Sequence, residues 1–218
     1  HYSPCVLSAV GRALGAYHHR SIHLPRTRRV AAALVELIEQ AGGCRSLLDV
    51  GCGDGRIARA VADGLGVAQV EGVDLRAPSG AAVKARSYDG HSLPFANGSF
   101  DVVLLSDVLH HAADPAALLS EGLRVARRAL ALKDHFRFGY LSGKLLTWMD
   151  VVGNASSGVE VTGRYLSPQE WVELVAATGG RMADLRWPLR VHDLPWRLLT
   201  RSELQFAALI EHAPRREA

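Results

Sequence analysis

The chain is poor in lysine, cysteine and aromatic residues, and each shortage narrows what it can be. Lys84, Lys133 and Lys144 are its only lysines, so nearly all its positive charge is arginine, and the formal net charge is only +3 over 218 residues. That excess is too small to argue for nucleic acid, and no basic stripe interleaved with aromatics replaces it. The arginine bias, beside the many alanines, reads as genome composition rather than chemistry. Cys5, Cys44 and Cys52 have neither pairing nor metal spacing, which fits a reducing, cytoplasmic setting. No apolar run approaches the length of a membrane span, no segment repeats and no low-complexity linker divides the chain. The chain opens on His1, so its native start is not in view. What remains is the composition of an ordinary soluble protein, long enough for a single domain with a real core.

Apolar spacing sets out the elements. After Leu24-Pro25-Arg26-Thr27 a helical pattern runs through Val30, Leu34, Leu37 and Ile38 and closes at Gly42-Gly43. Strands are expected at 46–50, 70–74, 82–85, 100–106 and 129–132, with a core helix over 55–63 and another opening at Asp114-Pro115. A capping box, Ser167-Pro168-Gln169-Glu170, opens a later helix that stops at Gly179-Gly180, and 185–187 and 205–210 read as two final strands. Strands alternating with helices predict an α/β fold with a doubly wound parallel sheet. Two connections are short. Pro78 and Gly80 argue for an extended crossover between the second and third strands, and almost no loop precedes the fifth strand. The chain divides into an N-terminal helical lid (1–43), a cofactor-binding core (44–135), a lid insertion (136–166, with a short helix over 141–151) and a C-terminal helix and strand pair (167–218). Tyr17, His18, His19 and His23 are expected to reach the site from the N-terminal side. No metal is expected, because adjacent His18 and His19 diverge on a helix and no carboxylate or thiol is spaced to complete a shell.

The densest signal is Asp49-Val50-Gly51-Cys52-Gly53-Asp54-Gly55, an acidic residue and three alternate glycines between an apolar run and a helical pattern. Glycines at such a strand-to-helix turn let a ligand lie against the backbone. The spacing is not that of a dinucleotide site, because the last glycine of that pattern falls on Arg56. It points away from a pyrophosphate and toward S-adenosylmethionine. Asp74 ends the second strand about twenty residues later, where a carboxylate would hold a ribose diol. Asp49 either reaches the ligand's amino group or orders the glycine turn.

Further along stand Asp89-Gly90, Leu93-Pro94-Phe95, Ser99-Phe100-Asp101 and Ser106-Asp107-Val108-Leu109-His110-His111. With these the chain resembles the class I S-adenosylmethionine-dependent methyltransferases, in their small-molecule group (type 11, ubiquinone-methyltransferase-like), over about residues 25–212 and most strongly over 47–128. The resemblance implies a Rossmann-like, mostly parallel seven-stranded sheet with an antiparallel last strand. It implies that Asp89 accepts from the adenine amino group, that the Gly90 backbone serves the ring, and that a carbonyl near Ser106 accepts from the methionine amino group. The implied cofactor set is Asp49, Gly51, Cys52, Gly53, Asp74, Leu75, Asp89, Gly90 and Ser106. The chain departs from the family in lacking the second crossover helix and a Pro-Gly-Gly loop before the fifth strand.

Function follows as an expectation. A methyl group passes from S-adenosylmethionine to an oxygen, nitrogen or carbon of a small molecule, leaving S-adenosylhomocysteine. A histidine suits the base such an acceptor needs near neutral pH. His111 or His135 is expected to be that base, and His111 rather than His110 to face the pocket. His135 and Asp134 read either as an acid/base or orienting pair or as a solvated strand end. A quinone- or lipid-like acceptor stays open through Leu145, Leu146, Trp148 and Met149, whereas nucleic-acid amino methylation does not fit, because Ser106-Asp107-Val108-Leu109 stands where an Asn/Asp-Pro-Pro-aromatic segment would be. Three rivals stand beside this reading: a cofactor-binding protein without methyl transfer, an enzyme using the same cofactor for another reaction, and a NAD-dependent dehydrogenase.

Overall fold

Neighbouring residues along the central strands alternate between two hydrophobic cores, as a pleated strand covered on both faces requires. Leu47, Val102, Leu104, Ala129 and Ala131 face one core; Leu48, Val50, Val103, Leu105, Leu130 and Leu132 face the other. These strands belong to a computed structural model that describes residues 24–77, 79–154, 161–194 and 196–214. Its elements in chain order are α1 (Leu24–Gln40), β1 (Ser46–Val50), α2 (Arg56–Leu65), β2 (Gln69–Asp74), β3 (Lys84–Ser87), β4 (Phe100–Ser106), α3 (Pro115–Val125), β5 (Ala126–His135), α4 (Tyr140–Asn154), α5 (Pro168–Ala177), β6 (Gly180–Arg186), α6 (Trp196–Thr200) and β7 (Gln205–His212). The seven strands form one sheet in the order β3-β2-β1-β4-β5-β7-β6. The first five run parallel, and β7 lies antiparallel between β5 and β6. The result is a single α/β domain of Rossmann-like form. None of the helices among the described residues is long and apolar enough to cross a membrane.

The helices cover the two faces by their apolar stripes. Val30, Leu34, Leu37 and Ile38 of α1 pack with Val61 and Ala62 of α2 on one face. Leu119 and Leu123 of α3 and Trp171 and Val175 of α5 cover the other. The described part of the expected N-terminal lid is therefore a core helix. Its C-terminal end is capped by Arg128, which donates to the carbonyls of Ala41 (2.6 Å) and Gly43. Tyr17, His18, His19 and His23 lie outside the described residues.

Strand bounds depart from the sequence reading for identifiable reasons. β3 begins at Lys84 rather than 82, because the Ala82 amide is already spent on the Asp54 carbonyl (2.8 Å). β5 starts at Ala126, directly after α3, and runs through Lys133-Asp134-His135. It is paired on both sides there, Ser106 with Lys133 on β4 and Asp134 with Phe206 on β7, so the ladder holds polar residues in extended form. β6 begins at Gly180 rather than 185, since Gly179 (φ +74°) ends the preceding turn and pairing with β7 starts at once. No helix is described between β2 and β3, in keeping with the extended crossover.

Sheet order reverses between β1 and β4, and in open α/β sheets ligands bind beyond the carboxyl ends of strands at such a point. The glycine turn after β1, the residues after β4 and the end of β5 all open onto it. The Leu93–Phe95 segment is held by Arg124, which donates to the carbonyls of Phe95 (2.9 Å) and Leu93 (3.1 Å) while paired with Glu121. Asp101 accepts from the Arg45 amide (2.9 Å) and from Arg127. These pieces of the family-like pattern therefore brace the scaffold.

Candidate active site

Backbone makes one side of the site. The amides of Gly51 and Cys52 both donate to the Val73 carbonyl, at 2.8 and 3.0 Å, which draws the turn against β2. Gly51, Gly53 and Gly55 all have left-handed backbone, with φ of +70°, +49° and +72°. A Cβ at Gly51 would come within 2.5 Å of Val108, and one at Gly55 within 2.9 Å of Val83. At Gly53 it would meet nothing within 4 Å, so the middle glycine fronts open space. Asp74 binds the turn to the end of β2: its Oδ2 accepts from the Gly53 amide (2.9 Å) and its Oδ1 from the Arg76 amide (3.3 Å). Asp49 lies buried beneath. Burial, reinforced by Asp74 and Asp54, pushes its carboxyl up to about 8. Burial and Asp49 push the Cys52 thiol up to about 12, so it is no nucleophile.

Two further sides complete this end. Leu75 is 63% exposed, and a Cβ at Gly90 (φ +82°) would lie 2.9 Å from its Cδ2. The apolar Leu75 and a bare stretch of backbone thus form one surface. Asp89 Oδ1 accepts from the amides of His91 (2.8 Å) and Ser92 (2.9 Å), which shapes the loop and holds its carboxyl below the usual range. At the end of β4, the Ser106 hydroxyl is buried with no hydrogen-bond partner.

Buried charge makes the opposite end. Asp107 takes a left-handed conformation (φ +58°) and donates its amide to the Lys133 carbonyl (2.8 Å). Its carboxylate pairs with Lys133, itself fully buried, and with Arg26 of α1. Burial opposes the charge on Asp107, but these two cations outweigh it and hold the carboxyl far below its usual range. A short 3-10 turn, Leu109–His111, follows. His110 Nδ1 lies 2.6 Å from Asp134 Oδ1, both side chains almost fully buried. Burial works against charge on His110 as well, yet Asp134 and Asp150 raise it to about 10, and the same pairing keeps Asp134 ionised. Asp150, from α4, sits 3.7 Å from His110 Nε2 and 3.5 Å from His111 Nε2, and its Oδ2 accepts from the Tyr165 hydroxyl (2.9 Å).

His135 behaves oppositely. Burial and the neighbouring Lys133 lower it to about 4, so it is neutral near pH 7. Its Nδ1 has no hydrogen-bond partner and lies 3.4 Å from Asp134 Oδ1 and 3.6 Å from Asp107 Oδ1. The expected His135–Asp134 side-chain pair is therefore not the tight one. Asp134 spends its short contacts on the His110 ring and on the His135 backbone amide (2.8 Å). Sequence reasoning passed over His110 in favour of His111. The parallel register of β4 and β5, which sets Ser106 beside Lys133, is the signal that brings residue 110 to residue 134. Asp107, Asp150 and Tyr165 were also missed as members of this cluster, and Asp150 is the one acidic residue of α4.

Comparison with known proteins finds methyltransferases in sequence and in fold. The family described as methyltransferase domain matches residues 48–129, from β1 into β5. An uncharacterized methyltransferase of Mycobacterium sp. (strain JLS) is 42% identical over 94 residues, covering 41% of this chain and 37% of that protein. The chain thus spans little more than a third of the length of the curated relatives it matches. Among solved structures, the methyltransferase of Haloferax volcanii, in complex with the Trm112 methyltransferase activator, superposes with a TM-score of 0.66 at 16% identity, over 96% of this chain and 97% of that one. The [4+2]-cyclase SpnF superposes with a TM-score of 0.61 at 19% identity, over 86% of this chain and 81% of that one. At such identities these two likenesses speak for the fold.

Proposed function

We propose that the chain, whose residues 48–129 match the methyltransferase-domain family, is a class I S-adenosylmethionine-dependent methyltransferase and that it methylates a small-molecule acceptor. The observation that carries this reading is the open space at Gly53 beside a carboxylate, Asp74, already aligned by the Gly53 amide. Asp49, Gly51, Cys52, Gly53, Asp74, Leu75, Asp89, Gly90 and Ser106 would hold the cofactor. The donors and surfaces suit it: a carboxylate for the ribose diol, an apolar strip at Leu75 and Gly90 for the adenine, and an unpartnered polar atom at Ser106 for the methionine end. When bound, S-adenosylmethionine supplies a methyl group on a sulfonium, an electrophile that needs no further activation.

What the protein must add is alignment, exclusion of water and a place for the acceptor's proton. His135 fits the last task. It is neutral near pH 7, and with Nδ1 turned toward Asp134 and Asp107, Nε2 is the nitrogen left to accept a proton. The two carboxylates offset part of the cost that burial and Lys133 place on the imidazolium. Lys133 and Arg26 fix Asp107, and His110 fixes Asp134, so the base stands on a rigid frame. The acceptor class extends to quinone- or lipid-like molecules if Leu145 and Trp148 of α4 line its path. Free Cys44 and Cys52 accord with the reducing, cytoplasmic setting we infer.

The fold also occurs in a [4+2]-cyclase, so the test must separate methyl transfer from other uses of the cofactor. Incubation with labelled S-adenosylmethionine and a panel of phenols, quinols and amines should yield S-adenosylhomocysteine and labelled acceptor in equal amounts. His135→Gln should lower kcat by roughly 10²-fold or more, with cofactor affinity unchanged. Turnover equal to wild type in that variant would remove His135 as the base, and product formed without S-adenosylhomocysteine would favour the other reaction class.

A further inference from the structure

We propose that His110, His111 and Asp150 form a binding site for one divalent ion of the zinc class, open toward the acceptor end of the cleft. Nε2 of His110, Nε2 of His111 and the Asp150 carboxylate converge, with the ligand atoms within 4.8 Å of one another. The nitrogen-to-oxygen separations are 3.7 and 3.5 Å. Those are long for a charge-assisted hydrogen bond. They are close to the spacing of two ligands on a tetrahedral ion, about 3.3 Å for bonds of about 2.0–2.1 Å. Two imidazoles and one carboxylate suit Zn²⁺, Co²⁺ or Fe²⁺ better than Mg²⁺ or Ca²⁺.

The surroundings are those of a metal site built outward. A metal-bound histidine commonly donates its other ring nitrogen to a carboxylate, which fixes its tautomer and orientation. His110 does this through Nδ1, 2.6 Å from the buried Asp134, and the ion takes the place of the Nε2 proton that His110 carries in its absence, so binding releases a proton. Asp150 is oriented in turn by the Tyr165 hydroxyl at 2.9 Å, and Tyr165 stacks on the His110 ring with centroids 5.3 Å apart. The rings of His110 and His111 lie 4.1 Å apart, which lets adjacent residues of a 3-10 turn present Nε2 to the same carboxylate. A second trio, His110, Asp134 and His135, also gathers ligand atoms. It is the weaker candidate, because 2.6 Å between His110 Nδ1 and Asp134 Oδ1 is a hydrogen bond and too short for two ligands of one ion.

Three protein ligands leave a fourth position, as in catalytic rather than structural zinc sites. His110 is buried, while His111 and Asp150 keep 17% and 13% of their side chains exposed, so the open position faces the cleft. An acceptor oxygen bound there would be polarised beside His135. This use of the ion rests on the methyl-transfer reading; binding of the ion does not.

The test is a titration of the metal-stripped, untagged chain with Zn²⁺ by calorimetry and with Co²⁺ by visible absorption. One equivalent should bind, and Co²⁺ should give the intense band of a four-coordinate site. His111→Gln and Asp150→Asn should each weaken binding at least about 10-fold, and Tyr165→Phe less, through its outer contact. S-adenosylmethionine affinity, measured on the same preparations, should stay as in wild type, which shows that the variants fold and keeps this outcome separate from that of the methyl-transfer reading. The cobalt spectrum of the wild-type chain needs no variant. Absence of saturable binding, a six-coordinate spectrum, or binding untouched by both His111→Gln and Asp150→Asn (and hence held by histidines elsewhere) would overturn the proposal.

Discussion

At the proposed donor end the shaping groups are backbone amides and the side chains that glycines lack, whereas at the proposed acceptor end they are charged side chains buried against one another. Gly51 and Gly55 let Val108 and Val83 close on the turn, Gly53 between them fronts open space, and Asp74 is aligned by the Gly53 amide. At the ends of β4 and β5, Asp107, Lys133, Asp134 and His110 neutralise one another in the interior. The buried charges are costly to disturb, since removing one partner strands another.

The comparison breaks most sharply at Asp134. Asp134→Ala leaves the His110 charge buried beside a gap and should cost about 3 kcal/mol of stability, read as a fall of several degrees in Tm, with S-adenosylmethionine affinity within about threefold of wild type. A variant that kept its Tm and lost the cofactor would erase the division between the two ends. Next come the glycines. Gly51→Ala combines left-handed strain with a clash on Val108 and should cost about 2 kcal/mol in urea unfolding. Gly53→Ala meets no protein atom and should lose about half as much stability, yet lose more cofactor affinity than stability, because its methyl enters the ligand's space. Asp74→Ala should lower cofactor affinity about tenfold, close to 1.4 kcal/mol, with a smaller change in Tm.

A further effect concerns pH. The folded protein holds the Asp49 proton up to about 8 against an ordinary 3.8, so it binds that proton more tightly than the unfolded chain does. The stability this confers in acid is lost as pH rises from about 4 to about 8. Asp49→Asn should therefore gain on wild type in Tm across that window, measured without ligand; a constant difference would place the Asp49 carboxyl in ordinary surroundings.

The same contrast explains what could be read from the sequence. The donor end is written in local spacing: Asp49 to Gly55, then Asp74, then Asp89-Gly90, each needing only its neighbours in the chain. The seven-stranded sheet and its antiparallel last strand followed from the family resemblance. The acceptor end was only half legible. Lys133-Asp134-His135 stood out as polar, but their place inside β5 depends on pairing with β7, some seventy residues later. His110 was passed over because adjacent histidines on a turn carry no sign of which one is buried. Asp150 and Tyr165 come from an insertion whose docking no local pattern encodes.

Equilibrium dialysis of the wild-type chain against labelled S-adenosylmethionine, with NAD in parallel, tests the backbone-built donor site most directly when Gly53→Ala and Asp134→Ala are run beside it. Saturable S-adenosylmethionine binding, displaced by S-adenosylhomocysteine, lost in Gly53→Ala, kept in Asp134→Ala and absent for NAD is the predicted result. Binding of NAD without S-adenosylmethionine, or S-adenosylmethionine binding indifferent to Gly53→Ala, would contradict it.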